Sequence, residues 1–187
     1  DYVPEGLGCI HYGQIYTDYG VTATETVSFL DPAFREKARL ARPGDLVIAG
    51  TGENVKDIGK AVAWLGDDDV AVHDDAFIFR HSLDPIYAAA LFASTTFLAQ
   101  RAPSDSKVAR LSAGALSNIS VPVLSPDAQQ LVGAVMAAFE EGTITAQATA
   151  AAFRTIRSNL LTVLLSGEHE IPETYDQLLN IDVEAAV

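Results

Sequence analysis

The chain has 187 residues, 49% of them hydrophobic and 20% charged, and a formal net charge of −13. That composition excludes a disordered chain and leaves room for one sizeable core with a modest extension, not two large domains. Asp, Arg or Gln interrupts every apolar stretch short of the roughly 18–20 residues of a membrane span, and no charged-then-apolar leader opens the sequence. A folded cytoplasmic protein, not associated with membranes, is expected. Cys9 is the single cysteine, which excludes an internal disulfide and a cysteine-based zinc site. The acidity is uneven. Ten of the twelve basic residues fall between Arg35 and Arg110, whereas residues 111–187 hold Arg154 and Arg157 against nine acids. Any basic surface must be assembled by folding, and binding of the isolated chain to a polyanion should be weak.

In chain order, Gly8 to Tyr16 mixes β-branched and aromatic residues between glycines and predicts a strand with a bend, and Thr26 to Leu30 predicts another. Asp31-Pro32 supplies a cap and a first-turn proline for a short, basic, exposed helix over 32–41, stopped by Pro43-Gly44. Asp45 to Thr51 is an apolar run of the kind buried on both faces, followed by a loop at Thr51-Gly52-Glu53-Asn54. Gly59 to Leu65, Val70 to His73 and Ala76 to His81 predict further strands between turn-forming Asp and Gly clusters. Together they predict a curved, mostly antiparallel or mixed sheet.

From Asp84-Pro85 to about Gln100 the apolar residues recur at helical spacing, predicting one core-packed helix. Ala102 to Ser106 reads as a polar loop, and Ile119 to Leu124 as a strand that Pro122 confines to an edge or end. Ser125-Pro126-Asp127 is a strong helix start. Leu131, Val135, Phe139, Ile144, Ala148, Ala152, Ile156, Leu160 and Leu164 then follow at spacings of three to five. A helix of some 40 residues, roughly 60 Å long, is too long for one small domain to cover, so its apolar stripe should meet another helix in coiled-coil fashion. Gly142 is the point where a break is expected, if any. The expected class is α+β. A β-rich domain over 1–124 with a few short helices precedes a long helix over 125–167 and a tail over 168–187.

Three segments carry a resemblance. Gly6 to Gly20 (GLGCIHYGQIYTDYG) is the first. Pro43 to Ala49 with Glu53-Asn54-Val55 and Gly59 to Leu65 is the second, and Lys107 to Ser112 through Ile119 to Val123 to Gln129-Gln130 is the third. In this order and spacing they resemble the specificity subunit of type I restriction-modification enzymes, over almost the whole chain. One departure is that Leu124-Ser125-Pro126-Asp127 stands where that family commonly has paired prolines and a glutamate.

The resemblance implies a target-recognition domain followed by a spacer helix that forms an antiparallel coiled coil. Family members usually carry two of each, so this chain looks like half a specificity subunit, and its start at Asp1 without a methionine implies one cut or processed from a longer chain. Two copies would then rebuild a two-part reader of double-stranded DNA through Leu131, Val135, Phe139, Ile144, Ile156, Leu160 and Leu164. The chain itself would be non-catalytic and carry no cofactor. S-adenosylmethionine and ATP would be used by partner methyltransferase subunits and, in some systems, a restriction subunit.

Base reading needs paired donors and acceptors on displayed loops, steadied by phosphate contacts. The candidates are Gln14, Tyr16, Thr17 and Tyr19 in one loop, Thr51, Glu53, Asn54 and Lys56 in a second, and Ser104, Ser106, Lys107 and Arg110 in a third, with Lys60 a further contact to phosphate or guanine. Each is also an ordinary solvated loop side chain. His11, His73, His81 and His169 have no ligand spacing, and His73-Asp74-Asp75 reads as a polar turn. Two rival readings stay open: an acidic mimic of DNA that blocks restriction, suggested by the charge, and a small metal-dependent hydrolase built on His73, Asp74 and Asp75.

Overall fold

A computed structural model describes residues 2–52, 58–101 and 109–167. The fold is α+β. Its strands are β1 (Tyr2–Val3), β2 (Leu7–Ile10), β3 (Thr22–Ala23), β4 (Ser28–Leu30), β5 (Arg39–Ala41), β6 (Leu46–Ala49), β7 (Thr51–Gly52), β8 (Ala61–Trp64), β9 (Val70–Val72), β10 (Ala76–Phe79) and β11 (Ala109–Arg110). Its helices are α1 (Gln14–Thr17), α2 (Pro85–Ala93), α3 (Thr95–Gln100), α4 (Ala113–Ser117) and α5 (Pro126–Leu165). The chain divides into two compact units, Asp1–Glu140 and Glu141–Val187.

The first unit holds two mixed sheets, ordered β1-β4-β2-β9-β5 and β10-β6-β8-β3, and the short pair β11-β7. β2 runs parallel to β9, and β3 parallel to β8; the other pairings are antiparallel. Alternation along the strands explains the packing. Val47, Ala49, Val62 and Trp64 of the second sheet share one buried cluster with Ile10, Ala41, Val70 and Val72 of the first, so the sheets face each other. The intervening residues Leu46, Ile48, Ala61 and Ala63 pack on Ala88 and Ala89 of α2. The central strands β6 and β8 are thus covered on both sides, the reason their sequences are unbroken apolar runs. Each fully buried Val, Leu or Ile there contributes about 1.5–3 kcal/mol.

Several local expectations are corrected. Gly8 to Tyr16 is a strand only through Ile10 and then turns into α1, because Gln14 Oε1 accepts the His11 N–H (2.9 Å) and closes the chain into a turn. The helix expected over 32–41 is one 3-10 turn, Pro32–Phe34, followed by strand β5, since Leu40 and Ala41 are drawn into the first sheet beside Val70 and Ala71. The single helix expected from 84 to 100 is broken at Ser94. Its backbone is extended and its hydroxyl caps Phe97 N, ending α2 and starting α3. Ile119 to Leu124 is not a strand. The Tyr87 hydroxyl holds it instead, donating to Pro122 O (2.8 Å) and accepting from Leu124 N (3.3 Å).

Helix α5 is continuous, with no break at Gly142. Its first turns belong to the first unit. Gln129, 6% exposed, accepts from Asp84 N (2.9 Å) and donates to Leu124 O (2.8 Å). One turn on, Gly133 is required by close approach, because a Cβ there would lie 2.6 Å from Asp84 Oδ1.

In the second unit, every described helical residue is exposed. Gly142, Ala146, Thr149, Phe153, Ile156, Leu160 and Val163 follow one another at alternating steps of four and three, the heptad spacing that lines up one face of an α-helix. Phe153 (66%), Ile156 (53%) and Leu160 (56%) are uncovered apolar side chains on that face. At about 100° per residue, Ile144 lies on the opposite side of the helix from Gly142 and Ala146. Among the described residues, no helix is long and apolar enough to cross a membrane.

Candidate nucleic-acid interface

Parallel pairing of β2 with β9 aligns Ile10 with Val72, so the next residues, His11 and His73, emerge side by side from the ends of these strands. Their ring centroids are 4.3 Å apart, and Tyr12 packs on both, at 4.5 Å from His11 and 5.5 Å from His73. Each imidazole is oriented by its own backbone: His11 Nδ1 accepts from Gly13 N (3.1 Å) and His73 Nδ1 from Asp75 N (3.2 Å). Burial pushes the His11 pKa down; the neighbouring His73 pushes the same way, and Asp75 opposes. His11 is therefore neutral at pH 7.

A chain of bonds leads onward from this pair. Asp75 accepts from the Thr51 hydroxyl (3.2 Å). The Tyr16 hydroxyl donates to the Thr51 carbonyl, Lys60 Nζ reaches the Tyr16 carbonyl (3.4 Å), and Arg110 is paired with Thr51 across β11 and β7. On the far side Arg39 braces the turn, donating to Ala76 O (3.1 Å) and His73 O (2.6 Å) and lying 3.7 Å from Asp74.

The structure thus gathers Gln14, Tyr16, Thr51, Lys60 and Arg110 from separate stretches of sequence, though their individual roles differ from those expected. Tyr19 is a core residue, 9% exposed, whose hydroxyl accepts from Val27 N. Thr51 is also buried, at 8%. Neither is displayed on a loop as expected: Tyr19 packs in the core cluster and Thr51 is buried within β7. Gln14 spends its amide internally, with Oε1 on His11 N and Nε2 on Ser28 Oγ. Thr17 is exposed, with its hydroxyl on Asp18 (2.6 Å). Lys60 and Arg110 are exposed cations at the rim. Glu53, Asn54, Lys56, Ser104, Ser106 and Lys107 lie outside the described residues, as do Ala102 to Ser106 and the 168–187 tail.

His11, Tyr12, His73, Asp75 and Arg39 were not among the expected contacts. A His at the end of each of two apolar strands was the available signal, but it becomes informative only once the parallel register is known. Among the described residues, no group of three or more His, Cys, Asp or Glu side chains is placed to hold a metal ion. A separate cavity of about 410 Å³ is lined by apolar side chains, including Phe77, Phe79, Phe92 and Phe97, with Ser117 the one hydroxyl among the described residues of its wall. Those residues bring no converging polar groups to orient a substrate. No protein-family model matches the chain, and no curated protein matches it.

Proposed function

We propose that this chain is a sequence-specific DNA-recognition subunit of a type I restriction-modification system. It would read one half of a two-part site, pair with a second copy through α5, and dock the methyltransferase subunits that do the chemistry. The resemblance of the three segments suggests the class. The observation that carries the reading is the exposed heptad face from Gly142 to Val163, on which Phe153, Ile156 and Leu160 are apolar and more than half exposed. Such a face is stable in water chiefly when a second helix covers it.

The order of side chains favours an antiparallel partner. In an antiparallel pair that sets Phe153 in the layer of Thr149, Ile156 falls in that of Ala146 and Leu160 in that of Gly142, so a larger side chain meets a smaller one in each of these layers. A parallel pair would set Phe153 on Phe153 and Gly142 on Gly142, leaving a bulge and a void. An antiparallel pair also relates the two reading surfaces by a two-fold axis, which matches an inverted-repeat site.

A second reading, an acidic DNA mimic, is favoured by the net charge of −13. Duplex retention by the chain together with its methyltransferase, measured against salt, separates the two. A reader binds duplex and loses affinity steeply as salt rises, whereas a mimic binds the enzyme and competes duplex away.

A further inference from the structure

The His11 and His73 pair carries more than a supporting role. Because each Nδ1 accepts a backbone N–H, the proton of each neutral ring sits on Nε2. Among the described residues neither Nε2 has a hydrogen-bond partner, and neither is among the fully buried atoms without one. The result is one N–H donor on each of two rings whose centroids lie 4.3 Å apart, fixed by the Nδ1 bonds and by Tyr12, with little rotamer entropy left to lose on binding.

Two neighbouring donors call for two neighbouring acceptors. In the major groove adenine offers an acceptor beside a donor, thymine an acceptor beside a methyl, and cytosine a donor; guanine alone offers two adjacent acceptors, O6 and N7. A phosphate also offers paired acceptors, but it is an anion. The Asp75 carboxylate lies 3.9 Å from His73 Nδ1, and Asp74 stands exposed beside them. Arg39 beside Asp74, with Lys60 and Arg110 exposed at the rim, balances that negative charge, so a base edge and a phosphate are told apart by sequence preference and salt slope.

We propose that His11 and His73 together read one guanine, each donating from Nε2 to the O6 and N7 edge. This rests on the DNA-reading function above and names the base and the residues that specify it.

The test is selection by the full chain, at low salt, from a pool of duplexes with a randomised stretch, repeated with His11→Asn and His73→Asn. Asparagine keeps an acceptor close to the Nδ1 position for Gly13 N or Asp75 N and removes the Nε2 donor; an unchanged thermal midpoint shows that the turn survives. The expected result is a motif with a guanine at a fixed position. Either variant loses that preference and keeps the rest. Placing 7-deazaguanine there weakens wild-type binding about tenfold and no longer weakens the variant that has lost the donor to N7. Variants that select the same motif, or that weaken uniformly on all sequences with a smaller salt slope, overturn the guanine assignment while the reading function stands. A wild-type chain that enriches no sequence overturns the reading function, and the assignment with it.

Discussion

The Glu140 carboxylate on α5 accepts the backbone N–H of Val21 at 2.6 Å, and the same group takes Thr22 N (3.3 Å) and the Thr22 hydroxyl (3.0 Å). This ties the last helical turn of the first unit to the segment that follows α1. Gly20 makes the contact possible, since a Cβ there would lie 1.7 Å from Glu140 Oε1. Glu140→Ala should cost about 1–3 kcal/mol by stranding these donors. Gly20→Ala should cost a similar amount by displacing the same carboxylate. The double variant should be no less stable than either single one, a non-additivity that denaturant midpoints would reveal. Additive losses would mean that the two residues are not coupled.

Asp45 is a buried anion of the first unit, 4% exposed, with Arg80 Nη2 at 2.8 Å and Arg42 N at 2.9 Å. Burial alone would raise its pKa, but the bonds from Arg80 and from Arg42 N together outweigh it and hold the carboxyl below its ordinary range. A depressed carboxyl contributes stability that is complete above its unfolded pKa, near 3.9, and lost as pH falls through the lower folded value. Asp45→Asn should therefore destabilise at pH 7 by about 1–3 kcal/mol and flatten the acid limb of a stability profile below pH 4. An unchanged acid limb would exclude Asp45 as its source.

His81 predicts a second pH window. Its Nδ1 accepts from Leu83 N (3.2 Å), its Nε2 is buried without a partner among the described residues, and Phe79 packs on the ring at 5.3 Å. Burial outweighs the attraction of Asp45 and Asp84 and lowers its pKa. A His held neutral contributes stability that is complete above about pH 6.5 and declines as pH falls below it, levelling off under the folded pKa. Between pH 7.5 and 5.5 the thermal midpoint should fall more in the wild type than in His81→Asn. Parallel profiles would count against a neutral His81.

Legibility of the fold in the sequence followed the locality of the forces. Leu46 to Ala49 and Ala61 to Trp64 declare themselves as doubly covered strands because burial on both faces removes polar residues altogether. Ser125-Pro126-Asp127 declares the start of α5 because capping is a matter of adjacent residues. Arg39 to Ala41 was misread because tertiary pairing with β9 overrode local helix signals, and Ser94 because one hydroxyl can end one helix and begin the next. The site was legible only in part. Lys60 and Arg110 stand exposed at the rim, but the juxtaposition of His11 with His73 depends on a parallel register between distant strands, which no local pattern encodes.

The seam makes a prediction about mass. Leu160→Ala removes one apolar contact per copy, each worth about 1.5–3 kcal/mol, so two per pair should weaken association by at least about a hundredfold. Phe153→Glu with Ile156→Glu should yield a single 19.9 kDa chain. Ile144→Glu, on the opposite face, should leave the paired mass unchanged. Light scattering at micromolar concentration distinguishes these outcomes, and equal sensitivity of all three variants would contradict the heptad register.

That two copies jointly read a divided site is tested most directly by the symmetry of the sequence selected from randomised duplexes by the full chain with its methyltransferase. The account predicts an inverted repeat of two short motifs separated by a gap of fixed length. Enrichment of a single undivided motif, or of none, would contradict it.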